Sequence, residues 1–122
     1  TLFQRWDSGI LDLYIQYGFK ADRDGGIRLA CSPQREAALF MGGMKHDPWP
    51  LFPGIHCPAH VLEGDDSENG PFVDLEKAST LMPHGSYARM MDAGHLIPME
   101  KPLETTQRSL CYFQQKNDEY DG

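Results

Sequence analysis

Positive charge is scarce in this sequence: eleven Lys and Arg against eighteen Asp and Glu leave a formal net charge of −7. A nucleic-acid or anionic-membrane surface needs clustered cations to neutralise phosphate, so neither is expected as a partner. Long apolar runs are missing too. A bilayer-spanning helix needs about 18 or more consecutive apolar residues, and none occurs. The start at Thr1 carries no basic stretch leading into an apolar one, and the end carries no Ser-Lys-Leu-type address, so an intracellular location in an unspecified compartment is expected. Cysteine is sparse and unpaired in pattern. Cys31, Cys57 and Cys111 are odd in number, widely spaced and free of any Cys-x-x-Cys pair, which argues against a disulfide framework or a zinc knuckle. Reduced, mostly buried thiols are the expectation.

Repeats and low-complexity tracts are absent as well. What remains is ordinary globular usage, 40% hydrophobic and 24% charged over 122 residues, with room for one domain. Asp7 opens a helical pattern (Ile10, Leu11, Tyr14, Tyr17) that Gly18 ends. Asp24-Gly25-Gly26 reads as a turn, and Ile27, Leu29 and Cys31 alternate as in a short strand. Ser32 and Pro33 then cap and start a second helix, which Gly42-Gly43 ends. Residues 44–58 hold four prolines and form a loop or crossover.

Beyond it the pattern changes. Ala59 to Glu63 reads as a strand ending in the acidic loop from Gly64 to Gly70, and a helix follows from about Pro71 to Met82 with Phe72, Leu75, Ala78, Leu81 and Met82 on one side. Ser86 to Met91 is a second strand, followed by Asp92-Ala93-Gly94-His95. A last helix starts near Pro102, carries Leu103, Leu110 and Phe113 on one face, and frays after Gln115. Strand, helix, strand, helix implies a parallel sheet, whose faces both need cover. Two strands alone are barely stable, so the stretch looks like the edge of a larger sheet.

In an open parallel sheet, functional groups collect beyond the carboxyl ends of the strands. Two loops qualify: one with Asp65, Asp66 and Glu68, the other with His95. A carboxylate beside an imidazole fixes its tautomer and stabilises the imidazolium, while the second ring nitrogen accepts a nucleophile's proton. Taken singly, the acidic residues read as turn formers and the histidine as an exposed loop residue. Their joint placement, one strand–helix–strand unit apart, favours chemistry.

Val61-Leu62-Glu63-Gly64-Asp65-Asp66, followed by a helix and by Ala93-Gly94-His95-Leu96-Ile97-Pro98-Met99-Glu100-Lys101-Pro102, resembles the C-terminal part of an α/β-hydrolase, strongly over about 57–113 and loosely before that. The resemblance implies an α/β fold, the last parallel strands of an incomplete sheet with flanking helices. It implies a lid or connecting helical segment with a short strand over 1–56, a C-terminal βαβα part of the core over 57–115, and a polar tail over 116–122. It assigns His95 as general base. For the acid, the position usual in the family holds Ser67, so Asp66 is favoured, with Asp65 and Glu68 as alternatives.

The family's nucleophile elbow, Gly-x-Ser-x-Gly, does not occur here, and Ser86 begins a strand out of reach of His95. The sequence is therefore expected to be the tail of a longer enzyme, inactive by itself. The parent would hydrolyse a small, apolar ester, thioester or lactone with an upstream Ser; an Asp nucleophile, as in epoxide hydrolases and dehalogenases, is an alternative. A rival of another class is a complete, non-catalytic small α/β module that binds a partner through a sheet edge. No cofactor is implied. His46, His56, Cys57 and His60 lie close in sequence, but Pro58 enforces extended backbone and a fourth converging ligand is wanting, so no metal is expected. Met41, Met44, Met90, Met91 and Met99, with Trp6 and Trp49, read equally as core filler or as the lining of an apolar acyl pocket. No feature fixes an oligomeric state.

Overall fold

The structure is a computed structural model that describes residues 3–43, 45–68 and 72–120. It divides into two compact units: Ser8–Pro48, and Trp49–Gly122 joined by Thr1–Asp7. The first seven residues group with the C-terminal unit. Asp7 N–H donates to Met99 O at 2.8 Å, which ties this segment down.

In the first unit, α1 (Ser8–Gly18) leads into a hairpin of β1 (Phe19–Ala21) and β2 (Ile27–Leu29), and α2 (Pro33–Gly43) follows. The hairpin is antiparallel, Phe19 opposite Leu29 and Ala21 opposite Ile27. Gly25 occupies the left-handed region (φ 80°) in its turn, a conformation that side chains disfavour. β1 lies outside the sequence-based reading because three residues are too few to show a period. Ser32 behaves as expected, its Oγ accepting the Arg35 N–H at 3.4 Å. Among the described residues of this unit, none is buried.

The second unit holds the core. A 3-10 turn at Trp49–Gly54 precedes β3 (Ala59–Gly64), α3 (Leu75–Leu81), β4 (Gly85–Met90), α4 (Ile97–Glu100) and α5 (Pro102–Tyr120). β3 and β4 pair in parallel, Ala59 beside Gly85 through Gly64 beside Met90, so both strands end at the same edge. α3 starts at Leu75 because the Asp74 carboxylate accepts the Lys77 N–H at 2.8 Å. Of the expected earlier start, Pro71 lies outside the described residues, and Phe72 and Val73 are exposed ahead of the helix. α3 buries Ala78 and Ser79, and Lys77 Nζ sits 5.8 Å from the ring centre of Trp49. Met90, Ala93 and Ile97 form the small core with Leu62 packed against it. Met90 is fully buried, a contribution of about 1.5–3 kcal/mol.

α5 departs from expectation in two ways. It runs to Tyr120 rather than fraying after Gln115, helped by a Lys116–Glu119 ion pair at 2.5 Å, so the stretch expected as a polar tail is helical through Tyr120. Its Leu103, Leu110 and Phe113 face is 85%, 56% and 62% exposed. Thr105, Ser109 and Tyr112, at helical spacing, are instead half-buried. A two-stranded sheet covers one stripe of such a helix and leaves the rest open. The three cysteines are all exposed, contrary to expectation: Cys31 lies beyond β2, Cys57 lies in the loop before β3, and Cys111 lies on α5 away from that stripe. No helix among the described residues is long and apolar enough to cross a membrane.

Candidate functional site

The loops that follow β3 and β4 are stitched together at the carboxyl edge of the sheet. Asp65 N–H donates to Met90 O and Asp66 N–H to Ala93 O, each at 3.0 Å. In return, Ala93 N–H donates to Asp65 Oδ1 at 3.2 Å. Gly64 makes this approach possible, because a Cβ there would sit 2.1 Å from Gly94 O and 2.3 Å from Ala93 O. Asp92 turns the chain between β4 and the histidine loop with φ at 53°, a left-handed conformation that Asp tolerates better than most residues.

His95 is exposed at this edge. Asp66, 60% exposed, receives Arg5 Nη1 on Oδ2 at 3.0 Å. Asp65 braces the histidine loop through Ala93 N–H, so one of its oxygens is already committed to backbone. Glu68 is exposed further along the loop. Ser67, at the family's usual acid position, donates its N–H to Gly64 O at 3.0 Å, which closes the turn. The acidic loop and the histidine loop therefore come together, while Ser86 stays at the opposite end of β4.

Two residues without an assigned role in the sequence-based reading complete the arrangement. Glu100 Oε2 accepts Gly94 N–H at 2.8 Å and pairs with Arg5 Nε at 2.9 Å. Its side chain is 8% exposed. Arg5 thus spans both loops, and its proton is held more tightly than usual, first by the bond to Asp66 and also by the charge of Glu100. Glu100 was legible within the Gly-His-x-x-Pro-x-Glu pattern. Arg5 was not, since 61 residues separate it from Asp66 and nothing local marks it. Lys101 Nζ adds a bond to Met91 O at 2.7 Å.

A second polar group lies just inside the edge. The Tyr87 hydroxyl donates to Glu63 Oε2 and accepts from Arg89 Nε at 2.8 Å. Burial, and then the bond to Glu63, pushes the Tyr87 hydroxyl above the usual phenol range. At the other end of the strands, His60 Nδ1 lies 2.7 Å from Ser86 Oγ, and its ring stacks on Tyr112 with centres 4.9 Å apart. A recess of about 420 Å³ opens beside α5 there, lined by His60, Arg108, Cys111 and Tyr112 among others, and the carboxyl-edge loops do not line it. Of the methionines read as core filler or pocket lining, Met90 is core, Met91 and Met41 are exposed, and Met44 lies outside the described residues. Among the described residues, no three His, Cys, Asp or Glu side chains cluster as a metal site.

No protein-family model matches this chain, and no curated protein matches it. A solved structure does, described as the crystal structure of E-2-(acetamidomethylene)succinate hydrolase, at 21% identity and a TM-score of 0.76. The match covers 93% of this chain and 41% of the other. The fold is that of the C-terminal part of an α/β-hydrolase, and the chain spans well under half the length of the hydrolase it matches.

Proposed function

We propose that this chain supplies the base and acid of a hydrolase whose nucleophile lies upstream of the sequence. His95 is the general base. Asp66 is the acid, with Asp65 and Glu68 as the next candidates, and a Ser in a Gly-x-Ser-x-Gly elbow is the nucleophile. His95 takes the Ser proton as the hydroxyl attacks a carbonyl carbon, and later returns it to the leaving group. Asp66 orients the ring and stabilises the imidazolium. The substrate class is a small ester, thioester or lactone.

One observation carries this reading: the acidic and histidine loops leave neighbouring parallel strands at one edge and exchange three hydrogen bonds, Asp65 to Met90, Asp66 to Ala93 and Ala93 to Asp65. Support for a longer parent comes from the two-stranded sheet and from the exposed apolar face of α5. The matched structure is named for hydrolysis of an acetamido-substituted succinate, so amides belong in any substrate panel beside esters.

The test is fluorophosphonate labelling of the polypeptide encoded by the full reading frame. Covalent labelling at an upstream Ser, lost in His95→Ala, is the expected result. An unlabelled full-length protein with no elbow upstream would reject the serine-hydrolase reading and favour the non-catalytic module.

A further inference from the structure

Glu100 is a carboxylate almost removed from solvent, 8% exposed, and its Oε2 takes two donors, Gly94 N–H at 2.8 Å and Arg5 Nε at 2.9 Å. A charge buried this far is costly unless it is paired and hydrogen-bonded, so both donors matter to it. The guanidinium that serves it is shared. Arg5 Nη1 reaches Asp66 Oδ2 at 3.0 Å, and because a guanidinium is planar and rigid, the spacing of its two partners is set by the fork. The chain Asp66, Arg5, Glu100, Gly94 therefore ends one residue before His95. Arg5 is itself anchored, since Asp7 N–H bonds to Met99 O at 2.8 Å and the Phe3 and Trp6 rings meet edge to face at 4.9 Å. A Cβ at 94 would lie 2.7 Å from Glu100 Oε1, so a side chain there would displace that carboxylate.

From this we infer that Arg5 and Glu100 are positioning residues that set the placement of Asp66 against His95. The inference rests on the reading of those two as acid and base. Glu100 holds the Ala93–Gly94 peptide, one residue ahead of His95, and Arg5 holds Glu100 and Asp66 in one fork. An isolated surface ion pair would contribute little. What distinguishes this one is the buried carboxylate at its centre and the two loops at its ends.

The experiment is 15N NMR of the polypeptide encoded by the full reading frame, reading the tautomer ratio of the His95 ring at alkaline pH, where imidazoles are neutral. The His60 ring, at the far end of the strands, reports whether the sheet is intact. Asp66→Asn is expected to shift the His95 ratio at least about threefold toward the solution mixture. Glu100→Ala and Arg5→Lys are expected to do the same with His60 unchanged, because a lysine presents one point charge where the fork presents two arms. Glu100→Gln should restore protection of the Gly94 amide against exchange without restoring the ratio. Should Asp66→Asn shift His95 while Arg5→Lys and Glu100→Ala leave it at the wild-type ratio, the positioning role is overturned and the acid–base reading stands. An unchanged ratio in Asp66→Asn removes Asp66 as the acid, and the positioning role with it.

Discussion

His60 and His95 sit at opposite ends of one pair of parallel strands, and they have different company. At the amino end, His60 has a hydroxyl at 2.7 Å and an aromatic plate behind it. Ser86 Oγ also lies 3.2 Å from Ala59 O. A hydroxyl has a single proton, so when it goes to Ala59, His60 must be the donor to Ser86 and does not act as its base. At the carboxyl end, His95 is exposed in a loop whose backbone is bonded to an acidic loop and braced by Glu100. A short histidine–hydroxyl bond alone does not mark chemistry. The carboxyl edge has acidic side chains and ordered peptides. The amino end has a histidine–hydroxyl bond and a ring stack beside the recess along α5.

The largest expected effect separates the two histidines directly. In the full-length protein, His95→Ala should lower kcat by about ten-thousandfold or more with KM little changed, while His60→Ala should leave kcat near wild type. Steady-state kinetics on an ester substrate checks both, and equal losses would erase the distinction between the ends. Next is Gly64→Ala, which drives a Cβ into the Gly94 carbonyl across the stitched loops. It should cost about 2–3 kcal/mol of stability in urea unfolding; a neutral result would mean that the loops are not held together as described.

Tyr87→Phe should cost about 1–2 kcal/mol at neutral pH, since Glu63 loses its hydroxyl donor. It should also change the alkaline limb. Tyr87 keeps its proton to higher pH when folded than when unfolded, so its contribution is complete below about pH 10 and is lost as pH rises through the folded value. Thermal melts from pH 8 to 11 should show a shallower alkaline decline in the variant. The smallest effect belongs to the amino end: Ser86→Ala should cost about 1 kcal/mol, read by the same unfolding curves.

Local signals foretold much of this. Ser32 and Pro33 started α2, and the short Ala59–Glu63 run fell on β3, because caps and short runs bounded by turn residues are written within a few residues. β1 was too short to show a period. The expected apolar face of α5 failed for another reason. Periodicity tells which residues share a face, and Leu103, Leu110 and Phe113 do; whether a sheet covers that face is decided by tertiary packing, and the β3–β4 pair leaves it exposed. The cysteines were misjudged because a thiol's composition-level preference for burial says nothing about the loop or helix face that carries it.

By itself the sequence determined the order of the longer helices and of β2, β3 and β4, the acidic and histidine loops and the Gly-His-x-x-Pro-x-Glu pattern, because each is written in neighbouring residues. Only the tertiary structure decided which charges meet there. Arg5 reaches Asp66 and Glu100 across most of the chain's length, and Gly64 proves indispensable once the Gly94 carbonyl lies against it. Parallel pairing of β3 and β4 creates both contacts, and pairing between distant segments leaves no trace in local spacing.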